Sequence, residues 1–200
     1  YTQPPKKSNR GQKLNISPVH KCAENLKLII RNPKNLNSKE EFDFIKKINP
    51  DIVIVVAYGQ LISKKILNIP KEGFINIHAS LLPKWRGAAP IQRSIMNSDT
   101  KTGISIMKIV EELDAGPTIK RIEIGLDQSI TAEKLSKNLS KIGSDSIVEV
   151  LDDIFSRKSK FTEQKHEHAT YAKKIQKSEA KINWNESAKK ILAKINGLNP

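Results

Sequence analysis

The sequence predicts an α/β fold built on a doubly wound, mostly parallel sheet. Short β-branched apolar runs alternate with amphipathic stretches in the order β-α-β-α-β-α-β, the pattern of strands joined by crossover helices. The run 51–57 is apolar almost without interruption, as a strand covered on both faces requires. Two hundred residues suffice for one domain of ordinary size with a small appendage.

The elements follow in chain order. Residues 3–19 read as a polar loop with Pro4, Pro5, Gly11 and Pro18 and the basic Lys6, Lys7, Arg10 and Lys13. A connection of that length in a compact domain is functional or disordered. Residues 20–25 read as a short helix and 26–31 as a strand. Ser38-Lys39-Glu40-Glu41 is a capping box, opening a helix with Phe42, Ile45 and Ile48 on one face. Residues 63–68 form a short helix stopping before Pro70, and 74–79 a strand. Residues 88–97 are helical, with Pro90 tolerated in the first turn. Residues 103–110 are a strand and 118–124 its antiparallel continuation. From 131 to 157, Leu135, Leu139, Ile142, Ile147, Val150, Leu151 and Ile154 mark one long helix, with Gly143 a candidate break. Residues 158–183 are polar, Lys-rich and without strong periodicity, and read as a linker that Trp184 packs onto the domain. Asn185 caps a last helix, 186–195, ending at Gly197.

The net charge of +14 is uneven: +7 over residues 1–50, −1 over 101–150 and +5 over 151–200. Basic ends suit a polyanionic partner, although a Lys-, Ile- and Asn-rich composition produces the same balance. No apolar run approaches the roughly 18 residues of a membrane span, and no apolar leader opens the chain. The single cysteine, Cys22, excludes an internal disulfide framework and fits a reducing cytoplasm. Without an initiator Met, and starting where a strand would be ending, the sequence reads as a stretch of a longer protein.

The chemistry concentrates in residues 74–90. Asn76 and His78, two apart on a strand, project from the same face. A lone histidine on an apolar strand is usually a satisfied core residue. Here an amide and an imidazole come together before a Ser80-Leu81-Leu82-Pro83 loop, and Asp114 follows in a Gly116-Pro117 turn. Oxyanion donor, proton acceptor and orienting carboxylate are the parts of acyl transfer, placed on neighbouring strand ends. Trp85 either stacks on a planar ligand or covers the core. His166 and His168 lie in the polar stretch with no further ligand cluster, so no metal site is expected.

Asn76-Ile77-His78, Ser80-Leu81-Leu82-Pro83, Trp85-Arg86-Gly87-Ala88-Ala89-Pro90-Ile91-Gln92 and Leu113-Asp114-Ala115-Gly116 resemble the signature of folate-dependent formyltransferases. The basic loop 1–14, Val55–Gln60 and the stretch from Tyr171 to Trp184 are similar to the branch of that family acting on methionyl-tRNA, so the resemblance spans essentially the whole chain. It implies Asn76, His78 and Asp114 as the catalytic set and Ser80, Leu81, Leu82 and Pro83 as the folate site. It further implies Arg10 and Lys13 as tRNA contacts, 10-formyltetrahydrofolate as co-substrate, initiator methionyl-tRNA as partner, and a cytoplasmic monomer with no metal and no membrane association. The implied organisation is a catalytic domain over 1–157, truncated at its N-terminus, a linker over 158–184 and the start of a C-terminal tRNA-binding domain over 185–200. Lacking a first strand, such a piece would expose an apolar edge and is expected to be poorly stable and nearly inactive by itself. Rival readings are a formyltransferase acting on an amino sugar nucleotide or glycinamide ribonucleotide, a non-catalytic RNA-binding module, and a hydrolase releasing formate.

Overall fold

The structure, a computed structural model, describes residues 1–8 and 13–199. The chain divides into two compact units, Tyr1–Gly73 and Phe74–Pro200.

In the first unit the expected loop contains a hairpin: β1 (Lys6–Ser8) pairs antiparallel with β2 (Lys13–Asn15). Helix α1 (Pro18–Asn25) starts two residues earlier than expected, because Ser17 caps it by accepting the His20 N–H at 3.1 Å and Pro18 suits the first helical position. The strand expected over 26–31 does not form. The N–H groups of Leu26, Lys27 and Leu28 turn back onto the carbonyls of Cys22, Glu24 and Ala23, closing α1 with Lys27 in the left-handed region. Helix α2 (Lys39–Ile48) carries the predicted serine cap, the Glu41 N–H donating to Ser38 Oγ. The Glu41 carboxylate instead accepts from Arg31 and Tyr1. Strand β3 (Val53–Val55) and helix α3 (Lys64–Leu67) complete the unit. Ile54 and Val56 are exposed, so the run expected to be covered on both faces is not; α1 buries no residue and supplies no apolar cover.

The second unit contains β4 (Phe74–His78), β5 (Arg86–Gly87), α4 (Pro90–Met96), β6 (Lys101–Lys108), β7 (Thr118–Gly125), α5 (Ala132–Phe155), β8 (Tyr171–Ala172) and α6 (Ala188–Leu198). Strand β6 lies between β4 and β7 and pairs antiparallel with both. The α/β class holds with a mixed sheet, in which these two ladders are antiparallel. The nine-residue connection 109–117 is too short for a crossover. The route from β4 to β6 through α4 returns the chain to the end it left, pairing His78 with Ser105.

Helix α5 buries Ala132, Leu135, Leu139, Gly143, Ser146, Val150 and Ile154, one stripe at three- and four-residue spacing. It runs unbroken through Gly143, where a Cβ would lie 3.1 Å from Ile77 Cγ2. The glycine is a contact point with β4. The polar stretch expected as a linker carries β8, which pairs parallel with β5, and a bridge from Thr162 to Thr118. Arg93 clamps it, donating to both Glu179 carboxylate oxygens (2.6 and 3.0 Å) and to the Lys173 carbonyl. Trp184, expected to do this packing, is 76% exposed. Ser187 rather than Asn185 caps α6, and Gly197 lies inside that helix against Met96.

Candidate active site

Asn76 and His78 stand on β4, whose ladder pairs them with Met107 and Ser105. The His78 ring is buried, with Nε2 2.9 Å from the Trp85 carbonyl oxygen. A carbonyl only accepts, so Nε2 carries the hydrogen and Nδ1 is the basic nitrogen of the neutral ring. Nδ1 faces Asp114 Oδ2 at 3.7 Å. That is beyond a hydrogen bond and leaves the two groups facing each other. Oδ2 also accepts the Gly87 N–H at 2.8 Å. The Asn76 carboxamide, half-buried, makes no hydrogen bond among the described residues and keeps its N–H donors for another group.

Asp114 does not sit on a neighbouring strand end, as the sequence suggested. Strand β6 finishes beside the start of β4, with Lys108 opposite Ile75, three residues short of His78. The turn 109–117 must therefore reach back along β4 by about 10 Å at strand rise. Gly116 makes this possible: a Cβ there would lie 1.9 Å from the Lys108 carbonyl oxygen. Asp114 itself adopts φ +47°, in the left-handed region.

The loop after β4 is locked from within. Ser80 and Leu82 are fully buried: Ser80 Oγ donates to the Lys84 carbonyl, Ser105 Oγ donates to the Ser80 carbonyl, and the Leu82 N–H donates to Ser105 Oγ. Leu81 and Pro83 are half-buried and are the members of the set that retain a surface for a ligand. Trp85, at φ +63°, donates its indole N–H to the buried Asp99, which also pairs with Lys84. Its backbone thus serves His78 and its ring packs. Arg10 lies outside the described residues, and Lys13 stands in β2. Among the described residues no group of three metal-ligating side chains converges, and no helix is long and apolar enough to cross a membrane.

Two residues escaped sequence reasoning. Arg86, 1% exposed, donates to Gln164 Oε1 at 2.8 and 3.1 Å, to His166 Nδ1 at 3.3 Å and to Glu112 at 3.4 Å. Gln164 in turn donates its amide to the carbonyls of Asp114 and Gly116. Adjacency to Trp85 hinted at Arg86; a glutamine in a polar stretch carries no signal.

The structure thus brings together a half-buried amide and an anchored imidazole on β4 and a carboxylate carried back to them by the turn after β6. Residues 1–151 match the family described as Formyl transferase, and the chain belongs to that family. Over its full length it is 56% identical to the methionyl-tRNA formyltransferase of Pelagibacter ubique, spanning 65% of that protein. The fold is shared with a sugar N-formyltransferase from Shewanella (TM-score 0.74, 21% identity, 88% of this chain and 70% of that one). It is also shared with HypX from Aquifex aeolicus in complex with tetrahydrofolic acid (TM-score 0.69, 17% identity, 79% of this chain and 27% of that one).

Proposed function

We propose that the protein transfers the formyl group of 10-formyltetrahydrofolate to the α-amino group of methionyl initiator tRNA. The observation that carries this is His78, with Nε2–H tied to the Trp85 carbonyl and Nδ1 directed at Asp114. The identity to a methionyl-tRNA formyltransferase along the whole chain supports the acceptor, and the tetrahydrofolic acid held by HypX supports the donor. The likeness to a sugar N-formyltransferase, at 21% identity, speaks for the fold alone.

In this reading the amine attacks the formyl carbon and the carbonyl oxygen gains negative charge. The Asn76 carboxamide, free of other hydrogen bonds, donates to that oxygen. His78 Nδ1 takes the proton lost by the amine, and Asp114 stabilises the imidazolium that results. The proton then passes to the departing folate nitrogen. Leu81 and Pro83 flank the folate on the frame built by Ser80 and Leu82, while Arg10 and Lys13 of the basic loop contact the tRNA. The protein acts in the cytoplasm as a monomer.

The test is formyl transfer from 10-formyltetrahydrofolate to initiator methionyl-tRNA, with an amino sugar nucleotide as the competing acceptor. His78→Ala and Asp114→Asn are each expected to lower kcat by about 10²–10⁴, the usual worth of positioned acid–base groups. Transfer to the sugar nucleotide but not to tRNA, or unchanged activity in His78→Ala, refutes the reading.

A further inference from the structure

We propose that residues 162–172 are a strap that sets the geometry of the catalytic pair, with Gln164 as the residue positioning Asp114. The inference rests on the role proposed for Asp114 and goes beyond it, since the family match ends at residue 151.

The strap is bonded to each piece of the site. Thr162 exchanges backbone hydrogen bonds with Thr118, where the Asp114 turn ends. Thr170 donates its N–H to the Pro83 carbonyl, and its Oγ1 accepts the Trp85 N–H at 2.9 Å. Thr170 and Ala172 carbonyls accept from Arg86 and Ala88, holding β5, whose Gly87 N–H binds the Asp114 carboxylate.

Gln164 is the centre of this arrangement. Within 161–168 it alone is buried, at 7% exposure. Its amide nitrogen donates to the Asp114 carbonyl at 2.9 Å and the Gly116 carbonyl at 2.7 Å. Its oxygen accepts both Arg86 donors. The turn reaches back along β4 with Asp114 in the left-handed region, and near that residue its own backbone supplies the long Ala115 N–H to Glu112 carbonyl bond at 3.4 Å; the shorter Gln164 bonds brace it from outside. Both amide functions of Gln164 are spent on that task. Arg86 completes it by fixing which way the amide points, since guanidinium donors tolerate only the oxygen.

The test compares Gln164→Glu with Asp114→Asn in protein labelled with 15N-histidine. Glutamate keeps the acceptor for Arg86 and loses the two donors to the turn. The His78 imidazole resonances are expected to shift in Gln164→Glu in the same sense as in Asp114→Asn. The melting temperature should stay within about 4 °C of the parent. Formyl transfer should lose about 10- to 100-fold in kcat, the scale of an ångström-size misplacement, with KM for the formyl donor unchanged. If Gln164→Glu does not fold, Gln164→Met gives the same readout without either hydrogen-bonding group. His78 resonances and kcat matching the parent overturn the strap. Activity surviving in His78→Ala overturns the proposed function instead, and the imidazole shift then decides the strap alone.

Discussion

The two units are held together by different means. Among the described residues of the first, Leu36, Ile45 and Ile66 are the buried aliphatic side chains, while Val19, Leu26, Leu28, Ile29, Val56 and Leu61 are all at least half exposed. What organises that unit is a set of polar clasps. Arg31 donates twice to Glu41 at 2.6 and 2.7 Å and covers the Phe44 ring, and Tyr1 donates to the same carboxylate. Gln60 bridges the Leu36 N–H and the Pro33 carbonyl, and Asn37 bridges the Leu61 carbonyl and the Ser63 N–H. The second unit instead buries Ile75, Ile104, Ile106 and Met107 on its sheet and Leu135, Leu139 and Val150 on α5. Apolar burial is non-directional and adds up over many side chains, whereas each hydrogen-bonded clasp is directional and contributes about 0.5–3 kcal/mol, the upper end where a charge takes part. The site proposed for chemistry stands on the apolar frame, where a misplacement of an ångström is resisted by close packing.

The contrast can be broken from the strong side first. Leu135, 0% exposed on α5, should cost about 2–5 kcal/mol when cut to alanine, read by urea denaturation of the second unit. A loss below about 1 kcal/mol would mean that the core is not what holds it.

Acid sharpens the comparison next. The Arg31 hydrogen bonds hold the Glu41 carboxyl below its ordinary value of 4.5. A folded-state pKa below the unfolded one contributes stability that is complete above the unfolded value and disappears as pH falls through the folded one. Hydrogen exchange between pH 5 and pH 3 should therefore show the first unit losing protection before β4 and β6. Glu41→Gln, costing about 1.5–3 kcal/mol at neutral pH, should flatten that response. The Arg93 hydrogen bonds lower Glu179 to about 2, so its clamp on the second unit should persist until the pH falls to about that value. Protection lost first in the second unit would reverse the comparison.

The smallest effect belongs to the exposed apolar side chains. Ile29, 83% exposed, should change stability by less than about 0.5 kcal/mol when replaced by threonine, measured by thermal melting. A larger loss would show that this surface is already covered in solution.

Much of the second unit is legible in its sequence. Residues 74–79 and 118–124 were marked by β-branching and the 131–157 helix by its stripe of leucine, isoleucine and valine, because burial leaves a periodic trace. Asn76 and His78 were legible together, since the two-residue repeat of a strand puts them on one face. The failures have a common cause. The segment 26–31 has the apolar pattern of a strand, but the amides of Leu26, Lys27 and Leu28 are taken by the end of α1. Gly143 has the look of a breaker in the sequence and is a contact, and Trp184 has the look of an anchor where Arg93 holds the stretch.

Local pattern, then, determined the long helices and the main strands of the second unit, which face carries an amide beside an imidazole, and that a carboxylate would follow in a glycine–proline turn. Tertiary structure alone decided that the turn runs back along β4 to bring Asp114 to His78, that Nε2 rather than Nδ1 holds the ring hydrogen, and that a glutamine fifty residues further on braces the turn. The physical reason is range. Periodicity records each side chain's own burial, while the direction of a turn and the partner of a buried polar atom depend on residues that meet only when the chain has folded.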